Sequence, residues 1–207
     1  MAKKRYFILV SHCLLNPNTR VHVLGHGFNL SKPIMDYFLT KQIAIIQLPC
    51  PEFMAMGFWR NPQGHQQYHN VFFKKHCQTV LEPFEDMIVE LVNTQHIPLC
   101  YIGVANSPTC SIYWRKHKQN RHGTESLHED LMCDKCESKL GVMTEVLTQL
   151  LAKHHIQLPL IEAPLKENIL SEPVHHFFKQ LDELLQIPEE FRTPYEKFDN
   201  SYQKKPL

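Results

Sequence analysis

Four short runs of the chain are almost continuously apolar. Residues 6–10 follow a basic start, 43–48 stop at a proline, 98–105 stop at Asn-Ser-Pro, and 158–163 stop at another proline. Runs this short, rich in Val and Ile, predict strands buried on both faces, as in a parallel sheet. The segments between them carry a helical period. Residues 29–41 place Leu30, Ile34, Met35, Phe38 and Leu39 on one side, with Asn29 or Ser31 as the cap and Pro33 in the first turn. Residues 68–94 predict a long helix that Pro83 kinks or restarts. Residues 140–154 repeat Val142, Met143, Val146, Leu147, Leu150 and Leu151 on one face, and Pro173 opens a last helix over 172–185.

This alternation predicts a three-layer α/β/α domain, Rossmann-like or flavodoxin-like, with a parallel sheet of four to five strands. It occupies residues 1–165, with a polar insertion at about 115–139 whose length marks it as functional or irregular. Residues 166–207 form a C-terminal helix and an irregular, proline-punctuated tail.

Composition narrows the function. Lys+Arg total 22 and Asp+Glu 21 in 207 residues, so no general attraction for nucleic acid or an anionic membrane is expected. No run approaches the roughly 20 apolar residues that span a bilayer. The apolar run at 7–10 is too short for a signal peptide, and the expected location is cytoplasmic. Seven cysteines in a chain of this size do not suggest a disulfide framework, so thiols away from the core raise the question of metal binding or catalysis.

Three cysteines fall just past three predicted strands: Cys13 in Ser11-His-Cys-Leu-Leu-Asn16, Cys50 in Pro49-Cys-Pro-Glu52, and Cys110 in Asn106-Ser-Pro-Thr-Cys110. In an open parallel sheet ligands bind outside the carboxyl ends of the strands, so topology alone brings these thiols to one edge. Thiolates select zinc, copper(I) or iron–sulfur clusters. A structural zinc site usually has four ligands, often with short C-x₂-C spacing. Three separated thiols suit a cubane cluster with one iron left open as a Lewis acid.

The ordered set of these three segments resembles the bacterial thiouracil desulfurases and, more closely, their uncharacterised relatives. The likeness runs from about residue 6 to 164. It implies a [4Fe-4S] cluster held by Cys13, Cys50 and Cys110, whose open iron accepts the sulfur of a thiocarbonyl while water replaces it at carbon. It also implies catalytic roles for Glu52, as general acid or base, and Ser107, which positions the substrate. The expected partner is a thiolated pyrimidine or a related small molecule. The chain departs from the desulfurases at 53–60, where Phe-Met-Ala-Met-Gly-Phe-Trp-Arg replaces a glycine-rich run.

Other residues extend the picture. Arg60, beside Phe58 and Trp59, suits a phosphate or a stacked base, or else covers core aromatics. His12, next to Cys13, is placed to meet substrate or to tune the cluster. Cys133 and Cys136 form half a zinc site that His117, His122 or His128 would complete. Cys77 and Cys100 read as core. Three alternatives stand beside desulfuration: an iron–sulfur sensor without turnover, a zinc-stabilised interaction protein, and a metal-independent nucleotide-processing enzyme. The absence of a G-x-G-x-x-G or Walker loop counts against the last.

Overall fold

A computed structural model describes residues 5–22, 28, 30–114, 139–164 and 171–185. The chain runs β1 (Arg5–Val10), α1 (His12–Leu15), a 3-10 turn (Pro17–Thr19), α2 (Ser31–Thr40), β2 (Ile43–Gln47), α3 (Pro51–Met56), α4 (His65–Tyr68), α5 (Val71–Asn93), β3 (His96–Val104), α6 (Val142–Lys153), β4 (Leu160–Ala163) and α7 (Glu172–Leu185). The four strands pair in the order β2-β1-β3-β4, all parallel.

This is the doubly wound arrangement that the alternation predicts. The strand order reverses at β1/β3, where open α/β sheets bind ligands. Phe7, Ile8, Leu9 and Val10 of the inner strand β1 are each 1% exposed or less, and burying each contributes roughly 1.5–3 kcal/mol. The edge strands are less enclosed: Ala44 on β2 is exposed, and β4 alternates half-buried and buried positions. Pro98 lies inside β3, where its missing N–H would break a ladder. The pairing with β1 shifts register there, between Phe7↔Pro98 and Leu9↔Tyr101, so the proline sits at a bulge.

Helices cover both faces. On one, α2 and α7 meet through Tyr37, whose hydroxyl donates to Asp182 Oδ1 at 2.7 Å and whose ring lies 5.4 Å from that of Phe178. On the other, α5 packs on β3 and α6. Val174, Phe177, Phe178 and Leu181 of α7 join the common core.

The structure redraws several helix boundaries. α5 is continuous through Pro83, and its start is a separate event: α4 ends at Tyr68, and Asn70 caps α5 by accepting from Phe73 N at 3.0 Å. α2 has no side-chain cap. Ser31 instead donates to Leu14 O at 2.7 Å and ties α2 to α1. Asn29, most of the 115–139 insertion and the tail beyond 185 lie outside the described residues. No helix among the described residues is long and apolar enough to cross a membrane.

Candidate functional site

The three strand-end cysteines are delivered by three different devices. Cys13 lies in the single turn of α1, which starts two residues past β1. Hydrogen bonds tie this turn to its neighbours: Ser11 N donates to Ile102 O at 3.0 Å, His12 Nδ1 donates to Leu48 O at 3.1 Å, and Gln47 Nε2 donates to His12 O at 2.8 Å. Cys50 is the N-cap of α3, with extended backbone before Pro51 and Sγ accepting from Phe53 N at 3.5 Å. Cys110 closes a tight loop after β3. The loop turns at Asn106, whose φ is +59°, a left-handed conformation that asparagine tolerates. Ser107 Oγ accepts from Cys110 N at 3.0 Å, and Val104 N donates to Cys110 O at 2.9 Å.

Two glycines allow that loop to seat. A Cβ on Gly103 would stand 2.4 Å from Cys110 O, and one on Gly141, at the head of α6, would stand 2.5 Å from the Thr109 carbonyl carbon and 2.7 Å from Cys110 N. The backbones therefore approach as closely as glycine permits.

The thiols share one environment. All three are free; Cys13 and Cys50 are half-buried and Cys110 is buried. Burial pushes the Cys13 thiol up to about 12, and Cys50 adds to the effect. Burial also raises Cys110, followed by the influence of Cys13 and of Cys50. Cys50 is raised by burial and then by Glu52. Cys50 thus acts on Cys13, and both act on Cys110, across the carboxyl edge of the sheet. Among the described residues no three His, Cys, Asp or Glu side chains close on a single ion.

Glu52 is buried, and both of its oxygens are held. Thr109 Oγ1 donates to Oε1 at 2.7 Å and Arg60 Nε donates to Oε2 at 3.1 Å. Arg60 donates twice more, from Nη1 to Gly57 O at 3.0 Å and from Nη2 to Thr19 O at 2.7 Å. Arg60 is neither a surface residue nor an open anion site: it is 6% exposed and fixes Glu52 to the loop after α1. Thr109 also lies 3.4 Å from Cys110 Sγ and 3.3 Å from Ser107 Oγ. Since its proton goes to Glu52, Ser107 is the donor in that last pair.

Sequence reasoning missed three residues here. Thr109, 1% exposed, links Glu52 to Cys110, although its place beside Cys110 reads as turn chemistry alone. Arg20, 7% exposed, donates from Nη2 to Cys13 O at 3.0 Å; burial lowers its pKa and Cys13 opposes the drop. Tyr68, 1% exposed, lies near Glu52. Burial and then Glu52 raise its pKa. Cys77 is fully buried core, as expected, with its thiol pushed up to about 12 by burial and then by Glu52 and Cys50. No spacing rule singles out Arg20 or Tyr68. Cys100, raised by burial alone, is core as expected. Cys133, Cys136, His117, His122 and His128 lie outside the described residues.

Fold and site together define a doubly wound α/β protein with three thiols and a buried Glu–Arg pair at the carboxyl edge of its sheet. The chain belongs to the same family as the uncharacterized protein MJ0003 of Methanocaldococcus jannaschii, to which it is 30% identical over 111 residues, 54% of this chain and 70% of that protein. No family model matches the chain, and no solved structure matches it.

Proposed function

We propose that this protein is an iron–sulfur-dependent desulfidase that hydrolyses the thiocarbonyl of a thiolated pyrimidine or related small molecule. The observation that carries the reading is the meeting of Cys13, Cys50 and Cys110 beside the buried Glu52 carboxylate, which Thr109 joins to the Cys110 loop. The ordered likeness of the three motifs to the thiouracil desulfurases supports it. The donor chemistry suits the group: three soft sulfur ligands come from three strand ends, and the Arg20 guanidinium beside Cys13 offsets negative charge. Cys13, Cys50 and Cys110 would hold a [4Fe-4S] cluster, which when bound supplies a sulfur-seeking Lewis acid at its open iron.

The protein's own residues do the rest. Glu52, held by donors on both oxygens, takes a proton from water as that water adds to the thiocarbonyl carbon. Thr109 and Arg60 fix the carboxylate so that the transfer needs no reorganisation. Ser107 orders the loop under the substrate and feeds the Ser107–Thr109–Glu52 hydrogen-bond chain. His12, with Nδ1 occupied by Leu48 O, offers Nε2 to the substrate. Overall, one C=S bond and one water become one C=O bond and hydrogen sulfide, with no change in oxidation state.

Anaerobic reconstitution with iron and sulfide tests the reading. About four irons per chain are expected in the parent, with uptake lost in Cys13→Ala, Cys50→Ala and Cys110→Ala. The loaded parent should release sulfide and uracil from 2-thiouracil. No uptake, or uptake that survives these substitutions, would overturn the proposal.

A further inference from the structure

Three fully buried hydroxyls stand beside the loops of Cys13 and Cys110, and the Glu52 network uses none of them. Tyr101 belongs to the inner strand β3, Ser11 precedes α1, which carries Cys13, and Thr144 lies in the first turn of α6. Ser11 Oγ and Tyr101 Oη are 2.8 Å apart, and the Thr144 hydroxyl is a further hydrogen-bond partner of Tyr101. Ser111, next to Cys110, adds a fourth fully buried hydroxyl, without a hydrogen-bond partner among the described residues. Burying hydroxyls is costly unless their protons find acceptors. Phenylalanine, alanine and valine would fill the same space without that cost.

Backbone geometry places Tyr101 on the face of β3 that the Cys110 loop covers. Tyr101 and Gly103 are two apart on one strand, so their side-chain positions share a face. A Cβ on Gly103 would stand 2.4 Å from Cys110 O and 2.8 Å from the Ile112 side chain. α6 closes the same space, with Thr144 N donating to Thr109 O at 3.2 Å. Burial raises the Tyr101 hydroxyl well above its ordinary range, and Cys110 is the next influence; the Ser11 and Thr144 bonds oppose the rise, and Cys13 adds to it. Three hydroxyls in a line hold three protons and make at most two bonds among themselves. None of the three donates to a carbonyl or carboxylate among the described residues. At least one O–H is therefore left to donate elsewhere.

We infer that Tyr101 is a positioning residue of the thiol site: its hydroxyl, held by Ser11 and Thr144, supplies the hydrogen bond that the sulfur of Cys110 accepts when that thiolate is a ligand. Such a bond offsets the charge on ligating sulfur. It favours the more negative reduced form of a cluster most, so it strengthens metal retention and raises the reduction potential. The inference rests on the desulfidase reading for the ligated group. Desulfuration changes no oxidation state, so the role of Tyr101 is to keep the metal group in place.

The test reconstitutes the full chain anaerobically with iron and sulfide, for the parent, Tyr101→Phe, Ser11→Ala and, as a control, Tyr37→Phe. The control also removes a buried tyrosine hydroxyl, but one that bonds Asp182 between α2 and α7. Iron retention against a chelator and the reduction potential are measured, with melting of the metal-free proteins alongside. Tyr101→Phe should load, give up its iron to about 10- to 100-fold less chelator, and show a more negative potential. Ser11→Ala should shift both in the same direction by less. Tyr37→Phe should melt lower yet keep the parent's retention and potential. Tyr101→Phe that matches the parent in both overturns the inference and leaves the desulfidase reading standing; where that variant does not fold, Ser11→Ala decides in the same way. Equal shifts in Tyr37→Phe overturn it as well, since general loosening is then the cause. A parent that takes up no iron overturns both readings. The expected shifts in a loaded protein that releases no sulfide from 2-thiouracil count for Tyr101 and against the desulfidase.

Discussion

Replacing Arg60 with methionine separates two roles for this residue. The sequence allows an arginine that meets the substrate, whereas the structure has it clamp Glu52. The two side chains are only 3% and 9% exposed and are 3.1 Å apart. Methionine keeps much of the stem's volume but leaves the Glu52 carboxylate buried without its cation and removes the donors to Gly57 O and Thr19 O. Breaking one side of such a pair costs about 3–5 kcal/mol. For a chain of this size that lowers the melting temperature by about 6–20 °C. The assay is thermal unfolding of the metal-free protein under reducing conditions, for Arg60→Met, Glu52→Gln and the double variant. The double variant should be about 2 kcal/mol or more better than the sum of the singles, because it leaves no orphaned charge. Arg60→Lys should recover only part of the loss, since an ammonium cannot reproduce the three-way fork. An Arg60→Met protein that melts with the parent and differs only in substrate affinity would refute the clamp.

Two further outcomes follow from the same geometry. Gly141→Ala and Gly103→Ala each drive a methyl against backbone of the Cys110 loop, at 2.5 and 2.4 Å; overpacking of this kind costs about 1–3 kcal/mol, and both variants should melt lower and take up less iron, which equal melting and loading would contradict. Acid should destabilise the face where His65 stacks between His69 and Trp114. Burial lowers the His65 pKa, so the unfolded chain protonates first and stability present near neutral pH is lost as pH falls below the ordinary histidine range. Burial raises Glu145, but Lys74 and His69 outweigh it and hold its pKa down, so its contribution persists above the ordinary carboxylate range and fades as pH drops through the lowered value. Denaturant unfolding between pH 8 and 4 should show this decline, and a shallower one in His65→Phe; a flat profile in the parent would contradict both.

Most of the fold was legible because its strands are buried. Residues 6–10 and 98–105 are apolar without interruption because they lie inside the sheet, and four such runs separated by helical periods leave few topologies. The helix ends were less legible. A serine in a first turn reads as a cap, yet Ser31 spends its hydroxyl on Leu14 O, a long-range choice that no local pattern encodes. The thiols were legible for a topological reason: parallel strands put their carboxyl ends on one edge, so position after a strand is itself a coordinate. The polar frame around them was not. Arg60 pairs with Glu52 eight residues away, and Thr109 reaches Glu52 across 57 residues. Such bonds follow from tertiary contact, and only the adjacency of Thr109 to Cys110 hinted at one.

The three thiols are not equivalent, and the difference sets the direction of approach. Cys110 lies deepest, its loop wedged against Gly103 and Gly141, with Ser107 Oγ accepting its amide. Cys13 and Cys50 are half-buried and occupy short helical elements, so they form the accessible lip. Behind that lip lie the buried Glu52 and its clamp Arg60, in and just after the helix that Cys50 caps. A small molecule reaching the thiols from solvent therefore meets the α1/α3 side first and Cys110 last. A sheet edge holding only three thiols would bind a metal group without favouring any direction. On the desulfidase reading proposed above, this asymmetry lets substrate approach from one side while Thr109 and Arg60 keep the buried Glu52 carboxylate fixed.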